Sequence, residues 1–223
     1  MDDAPFAAGF GKGVTIAVVD SGVHADHPHI GGRVTGGVCV IPMVDSADWI
    51  DRVGHGTAVA AAIHEKAPLA ALLAVRVFDR SLTTSAQALA DGIVWSADNG
   101  AVLINLSLGT ANSTHREMLA NAVAYAAERG AQVIAAREWN GQRWLPGSLD
   151  GVVGVLLDPE CERDQIGFVD DDGAGQIYSA SGYPRPIPGV PAERNLNGIS
   201  FAVANVTGFL ARMRSSVTDA LPG

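Results

Sequence analysis

Three side chains that together can activate a hydroxyl group lie at the ends of predicted elements of this 223-residue chain. Asp20 follows a run of apolar residues, His55 opens an alanine-rich segment, and Ser200 opens a second apolar segment near the end of the chain. A serine hydroxyl is a weak nucleophile near neutral pH until a base takes its proton, and a carboxylate must hold that base in one tautomer. These residue types therefore predict a nucleophilic triad.

The elements that must position this triad alternate between two kinds of segment. Continuous apolar runs predict strands buried on both faces, and alanine-rich or amphipathic segments between them predict helices. The order of the segments predicts an α/β fold, a three-layer sandwich whose mostly parallel central sheet is flanked by helices. The predicted strands are 14–19, 69–78, 102–108, 132–136 and 152–156, and the predicted helices are 55–66, 85–99, 113–129 and the segment that follows Ser200.

The rest of the chain adds few further elements. Residues 157–195 are rich in Gly, Pro and Asp, which predicts loop with one or two short strands. No linker or internal repeat divides the sequence, and its length suits one hydrophobic core. We therefore expect a single domain over residues 1–223.

The predicted topology can bring the three residues together although they lie far apart in the sequence. In an open parallel sheet, functional groups gather at the carboxyl ends of the strands, where helices also begin. Asp20 ends a strand, while His55 and Ser200 begin helices, so all three are expected at that edge. The positive end of the helix at Ser200 would also face an anion that forms beside the hydroxyl.

Sequence motifs around all three residues resemble those of the subtilisin-like serine proteases, the subtilases of peptidase family S8. The segment Val18–Val23, with His27-Pro28 shortly after it, resembles the family's aspartate motif, and Gly54–Ala60 resembles its histidine motif. Together with the segment around Ser200, the resemblance covers roughly residues 13–140 and 196–212. It implies a subtilisin-like fold and serine endopeptidase activity through an acyl-enzyme.

The same resemblance implies a role for each matching residue. Ser200 would attack the scissile carbonyl, His55 would act as base and then as acid, and Asp20 would orient His55. Two segments would hold an extended peptide between them, with Trp139 and Trp144 lining the cleft. These segments are Ser107, Leu108 and Gly109, which resemble the family's substrate-lining strand, and Ser81, Leu82 and Thr83 (continuing to Thr84), which would form the opposing edge.

The family's oxyanion-stabilising asparagine has no clear match in this sequence. Aligned without a gap, Trp139 falls at that position, whereas one inserted residue brings Asn140 there. Because a tryptophan cannot place an amide N–H on the developing oxyanion, we predict that Asn140 is the donor. Loss of this donor in a subtilisin costs about 10²–10³ in turnover, so Asn140→Ala is expected to lower turnover by orders of magnitude with little change in substrate affinity.

Composition excludes several other classes of function. The net charge of −9 argues against nucleic acid or an anionic membrane as a partner. No apolar run reaches membrane-spanning length, and the acidic start at Met1–Asp3 does not suit a signal peptide, so we expect a cytoplasmic protein. The two cysteines, Cys39 and Cys161, have no zinc-site or disulfide pattern.

No cofactor or metal ion is predicted. The closely spaced histidines His24, His27 and His29 are the strongest metal candidates, but no cysteine or second ligand pair lies near them in the sequence. His27-Pro28 also matches a turn of the subtilase pattern. We therefore expect the three histidines not to bind a metal ion.

The chain resembles a minimal catalytic core. About a dozen residues precede the first predicted strand, and the sequence ends soon after the serine helix, whereas family members have more at both ends and a pro-segment. We expect either that the chain folds unaided in the cytosol or that a partner protein covers the surface which the missing segments would bury.

Three functional hypotheses remain open at this stage. The first is an endopeptidase that processes a defined precursor or leader peptide, with selectivity from a pocket near residues 137–144. The second is a pseudoprotease that binds peptides as a scaffold, favoured by Trp139 and by Ile199 in place of the family's threonine. The third is acyl transfer, ligation or cyclisation, in which an amine intercepts the acyl-enzyme instead of water.

Overall fold

The computed structural model describes residues 9–79, 81–171, 173 and 175–218. Short 3₁₀ turns at Ser113–His115 and Ala192–Arg194 accompany the main elements. The helices are α1 His55–Lys66, α2 Ala86–Asp98, α3 Arg116–Glu128 and α4 Ile199–Thr218. The strands are β1 Thr15–Asp20, β2 Val34–Cys39, β3 Ala71–Arg76, β4 Leu103–Leu106, β5 Gln132–Ala136, β6 Glu138–Trp139, β7 Gln142–Arg143, β8 Val153–Leu157, β9 Ile166–Asp171 and β10 Gln176–Ala180.

One mostly parallel sheet organises the molecule. Its eight strands lie in the order β2-β3-β1-β4-β5-β8-β10-β9. Only the pair β9–β10 is antiparallel among these strands. The strands β6 and β7 form a separate hairpin. The predicted α/β architecture with a mostly parallel sheet is therefore confirmed.

The two faces of the sheet carry different helices, which gives three layers. Helices α1 and α4 pack together on one face, and α2 and α3 pack together on the other. Strand β1 shows why: Ile16 and Val18 belong to the core under α1 and α4, whereas Ala17 and Val19 belong to the core under α2 and α3. Because both faces are covered, the strand is apolar without alternation, as the sequence indicated.

Strand β1 lies near the middle of the sheet, hydrogen-bonded to β3 on one side and β4 on the other. Its last residue is Asp20. Helix α1 begins at His55 and α4 begins at Ile199, one residue before Ser200. Within the described residues, no helix has the length and apolar character needed to cross a membrane.

Two elements were not predicted from the sequence. Strand β2 is an edge strand with Gly36 and Gly37 in its middle, and glycine weakens the strand signal because it has no side chain to pack. The hairpin β6–β7 turns at Asn140-Gly141, a dipeptide favoured in two-residue turns because both residues tolerate positive φ. The observed φ angles are 52° at Asn140 and 73° at Gly141.

A buried amide joins the end of β4 to helix α4. Asn105 is fully buried; its side-chain nitrogen donates to the Ser107 hydroxyl at 2.7 Å, and its oxygen accepts from the Thr207 hydroxyl at 3.0 Å. Ser107 in turn lies against the backbone of Ser200, because its hydroxyl is 3.5 Å from the Ser200 carbonyl oxygen. The amide therefore fixes the segment after β4 relative to the start of α4.

We predict that Asn105→Ala lowers the free energy of unfolding by about 1–3 kcal/mol, because buried polar partners are left unsatisfied. Urea titration followed by circular dichroism measures this quantity. The control is Asn121→Ala on the exposed side of α3, for which a change within about 0.5 kcal/mol is expected. Equal losses in the two variants would contradict the proposed anchoring role.

Candidate active site

Asp20 and His55 form a hydrogen-bonded pair at the carboxyl edge of the sheet. The Nδ1 atom of His55 lies 2.8 Å from Oδ1 of Asp20, which also accepts from the backbone N–H of Ser21 at 2.7 Å. The side chain of Asp20 is completely buried, and that of His55 is 17% exposed. A buried carboxylate at Nδ1 holds the proton there, so Nε2 is the nitrogen left to accept one.

The pair forms because two backbones approach each other closely. A Cβ atom added at Gly56 would lie 2.2 Å from the carbonyl oxygen of Gly22 and 3.2 Å from the Cβ of Asp20. Any side chain at position 56 would therefore push α1 away from the end of β1. The glycine of the histidine motif is thus a packing requirement for the Asp20–His55 contact.

Asp51 holds the start of α1 in place, and the sequence alone did not reveal this role. Its carboxylate accepts hydrogen bonds from the Ser21 hydroxyl and from the Thr57 N–H and hydroxyl. It also accepts from the N–H groups of Val53 and Gly54. Burial opposes ionisation of Asp51, but these bonds outweigh that effect and lower its pKa. The one indication of this role in the sequence was the position of Asp51 shortly before the start of a helix, because aspartates there often cap helices.

The environment of His55 favours its charged form. Burial of the ring opposes ionisation, but the hydrogen bond to Asp20, the charge of Asp20 and the charge of Asp51 together raise the pKa of His55 above 6.5. The ring also lies near Phe201, with centroids 5.6 Å apart. A base with a raised pKa binds a proton more readily when a nucleophile releases one.

Ser200 lies in the first turn of α4, half-buried, and lines the same cleft as His55. Its hydroxyl donates to the carbonyl oxygen of Ser107 at 3.0 Å. The backbone N–H groups of a first helical turn have no partner inside the helix and can donate to an anion. The structure therefore brings Asp20, His55 and Ser200 to one edge of the sheet.

The cleft has a volume of about 620 Å³. Apart from His55 and His115, its described lining residues carry no ionisable acid or base. Several predicted substrate-binding residues line it, namely Ser107, Leu108, Gly109, Leu82, Thr83 and Trp139. Ser81 does not, and residues 81–84 form no strand. Asn197, which sequence reasoning did not single out, is also in the lining.

Trp144 packs against the substrate-lining segment. A Cβ atom added at Gly109 would lie 3.1 Å from Cε3 of Trp144 and 2.6 Å from the carbonyl oxygen of Leu145. Thr110 and Leu145 also exchange two backbone hydrogen bonds, of 2.9 and 2.8 Å. The indole therefore occupies space beside Gly109 and narrows the cleft at that point.

Asn140 does not lie in this cleft, which corrects its assignment as the oxyanion donor. It is exposed at the tip of the β6–β7 hairpin and lines a different cavity with Leu156 and Leu157. Trp139, its neighbour, lines both cavities. The physical reason is the turn: the positive φ of Asn140 belongs to the reversal of the chain at the tip of the hairpin, where the residue is exposed.

Comparison with known proteins agrees with this geometry. A profile of the subtilase family matches residues 11–138. Thermitase of Thermoactinomyces vulgaris is 34% identical over 94% of this chain and 78% of its own length. The chain belongs to the subtilase family. Its activity is that of a subtilisin-like serine endopeptidase, a hydrolase, as the family and its relatives indicate.

A second sequence relative and a solved structure match different shares of this chain. The thermophilic serine proteinase of Bacillus sp. (strain AK1) is 37% identical over 65% of this subtilase but only 38% of its own length. The crystal structure of a lanthipeptide protease superimposes with a TM-score of 0.71 at 20% identity, covering 92% of this chain and 74% of that one. This structural match supports the α/β subtilisin-like fold.

Among the described residues, no group of three or more His, Cys, Asp or Glu side chains is arranged to hold a metal ion. His24, His27 and His29 lie together along a second cavity, with the rings of His27 and His29 5.1 Å apart in an edge-on arrangement. Cys39 and Cys161 are free cysteines.

We predict that the His55 ring of the Ser200→Ala protein titrates with a pKa above 6.5. Asp20→Asn in the same background should lower that pKa, because both the hydrogen bond and the negative charge are lost. The stabilisation of the folded wild-type protein by the charged His55–Asp20 pair is therefore fully present below pH 6.5. It disappears as the pH rises through the pKa of His55 in the folded state. Histidine ring resonances in NMR spectra measure both values; an unchanged pKa in Asp20→Asn would show that Asp20 does not cause the shift.

We also predict that Asn140→Ala changes kcat by no more than about twofold, because Asn140 lines another cavity and not the cleft. The measurement is turnover of an unstructured protein such as reduced casein. Retained turnover in this variant agrees with the observed position of Asn140. A loss of about 10²–10³, the effect of removing an oxyanion donor, would instead restore the role predicted from the sequence.

Proposed function

We propose that this subtilase hydrolyses peptide bonds in extended segments through a triad of Asp20, His55 and Ser200. The observation that carries the proposal is the buried hydrogen bond between Asp20 and His55, 2.8 Å long, beside a cleft that Ser200 also lines. Attack requires the Ser200 hydroxyl to turn from the Ser107 carbonyl to Nε2 of His55. His55 would then accept the proton, and the resulting imidazolium would be stabilised by Asp20.

The oxyanion would form beside the first turn of α4. The backbone N–H of Ser200 is available there, and the positive end of the helix favours negative charge. Since Asn140 lies in another cavity, a second donor would come from the lining of the cleft itself. Nitrogen donors among the described lining residues include the Asn197 amide and the indole N–H groups of Trp139 and Trp144.

An extended peptide is the substrate that this cleft suits. Thr110 uses both of its backbone groups on Leu145, so a substrate backbone would pair with Ser107 and Gly109 on the other side of the segment. Pairing at Ser107 would replace the hydrogen bond from the Ser200 hydroxyl and release that hydroxyl toward His55. Substrate binding would thereby assist the alignment of the nucleophile.

We further propose that the physiological substrate is a defined peptide precursor. Trp144 narrows the cleft beside Gly109, and the lining carries no acidic or basic residue near Leu108. A narrowed cleft excludes bulky side chains sterically, and an uncharged lining disfavours charged side chains because they would lose contacts with water without gaining partners. Such selectivity suits the processing of a leader or precursor peptide more than general digestion.

A peptide-binding scaffold is the second candidate function. Two observations favour it: the Ser200 hydroxyl donates to Ser107, and a tryptophan lines the cleft where family members carry an amide. In this case the cleft would hold an extended peptide without cleaving it. Interception of an acyl-enzyme by an amine, giving ligation or cyclisation, would require the same activated Ser200 as hydrolysis.

We predict that a fluorophosphonate probe labels Ser200 stoichiometrically, because an activated hydroxyl attacks phosphorus as it attacks a carbonyl. Intact-mass spectrometry and peptide mapping measure the labelling. Ser200→Ala and His55→Ala should remain unlabelled and should lose about 10⁴-fold or more in kcat/KM. If the folded wild-type protein is not labelled, hydrolysis and acyl transfer through Ser200 are excluded. The peptide-binding scaffold is then the remaining function.

A further inference from the structure

A second cavity is lined by residues that adjoin His55 and Ser200 in the sequence. Its volume is about 500 Å³, and we call it the histidine pocket because His24, His27 and His29 line it together with Arg185. Gly54, the residue before His55, forms part of its wall, and so does Leu196, four residues before Ser200. The cleft, by contrast, is bounded by residues 107–110 and 82–86. Both cavities therefore have walls close in sequence to His55 and Ser200.

The histidine pocket contains the positive charge of Arg185 and three histidines that can be protonated, in a chain whose net charge is −9. The Arg185 guanidinium donates to the carbonyl oxygen of His29 at 3.3 Å, and within the described residues it has no carboxylate partner. Burial, the charge of Arg185 and the proximity of His27 lower the pKa of His29, against a smaller opposite effect from Glu65. Arg185 and His27 thus add to the effect of burial on His29.

No carboxylate of the described residues lies within ion-pair distance of Arg185. Asp51 is the one acidic residue among the described lining of the pocket. Its oxygens already accept hydrogen bonds from Ser21, Val53, Gly54 and Thr57. Glu65, which influences His29 from outside the pocket, pairs with Lys66 and Arg163. An anion supplied from outside would therefore complete the site.

We infer that the histidine pocket binds an acidic side chain, or the terminal carboxylate, of the peptide segment that follows the scissile bond. This inference rests on the proposed peptidase function. If the cleft between residues 82–86 and 107–110 takes the acyl segment, the leaving segment continues past Ser200 toward Gly54 and Leu196. A carboxylate there would meet the fork of Arg185, which matches its geometry.

The rest of the pocket wall is apolar, which defines the class of ligand further. Pro28, Ala58, Ala61, Pro184 and Ile187 line it between the charged groups. A free inorganic anion would leave these groups without contacts, whereas a peptide covers them with its own carbon atoms. The ligand is therefore an acidic residue within an otherwise apolar peptide segment.

Cleavage of a peptide library tests the inference. A proteome-derived library is digested, and mass spectrometry reports the residues on both sides of each cut. We expect Glu and Asp to be enriched severalfold within the first few residues after the cut. Arg185→Gln should abolish the enrichment without abolishing cleavage, and Arg185→Lys should keep most of it. The control is Arg129→Gln at the exposed C-terminal end of α3, which removes the same charge outside both cavities and should leave the profile unchanged.

A binding measurement that needs no turnover accompanies the library. The Ser200→Ala protein is titrated with Ala-Glu-Ala-Ala and with Ala-Gln-Ala-Ala while histidine ring resonances are followed by NMR. We expect the glutamate peptide to shift the His24, His27 and His29 signals, the glutamine peptide to shift them several times less, and Arg185→Gln to remove the difference. Signals of His115, on the cleft side, should move little.

The outcomes separate this inference from the proposed function. Cleavage by the wild type without enrichment of acidic residues, or with enrichment that Arg185→Gln leaves intact, would overturn the inference and leave the peptidase standing. Absence of both cleavage and Ser200 labelling would overturn the proposed function instead. Equal shifts from the two tetrapeptides, or none at the three histidines, would show that the pocket does not select a carboxylate.

Discussion

The buried contact between Asp20 and His55 is the interaction on which the site depends. It requires the start of α1 to pack on the end of β1 with no side chain between them, which the glycine at position 56 permits. Asp51 fixes the same junction from the other side by accepting five hydrogen bonds. A carboxylate that satisfies so many donors replaces the water which those groups would otherwise need. The imidazole is therefore held before any substrate arrives, which is what an efficient base requires.

The cleft differs from what the resemblance implied in one chemical respect. Asn140 was expected to supply an amide near the oxyanion, but Trp139 lines the cleft and Asn140 lines another cavity. A second tryptophan, Trp144, lies against Gly109. Large rigid rings at these positions exclude water, which strengthens the electrostatic interactions that remain. They also restrict the shape of a bound peptide. Both consequences fit an enzyme of narrow specificity.

The two cavities beside the triad differ in character. The cleft that takes the acyl segment in the proposed mechanism is largely free of charge, whereas the histidine pocket combines Arg185 with three histidines. A peptide that spans both would be recognised by shape on one side of the scissile bond and by charge on the other. Shape selection by apolar walls discriminates weakly between similar side chains, while an unpaired charge discriminates strongly. The arrangement gives the second cavity the larger potential for specificity.

The sequence by itself determined the elements that are buried on both faces and the residues embedded in compact motifs. The central strands around β1 were predictable because continuous apolar runs have few alternatives. The placement of Asp20, His55 and Ser200 at one edge of the sheet was predictable because each lies at the end of a predicted element. The choice between Trp139 and Asn140 required the tertiary structure, since a two-residue turn decides which side chain faces the cleft. Strand β2 was also hidden, because edge pairing leaves little local signal, and the contact of Asp51 with Ser21 joins residues 30 positions apart. The histidine pocket joins residues 24–29 to Arg185, about 160 positions away, and only folding creates that proximity.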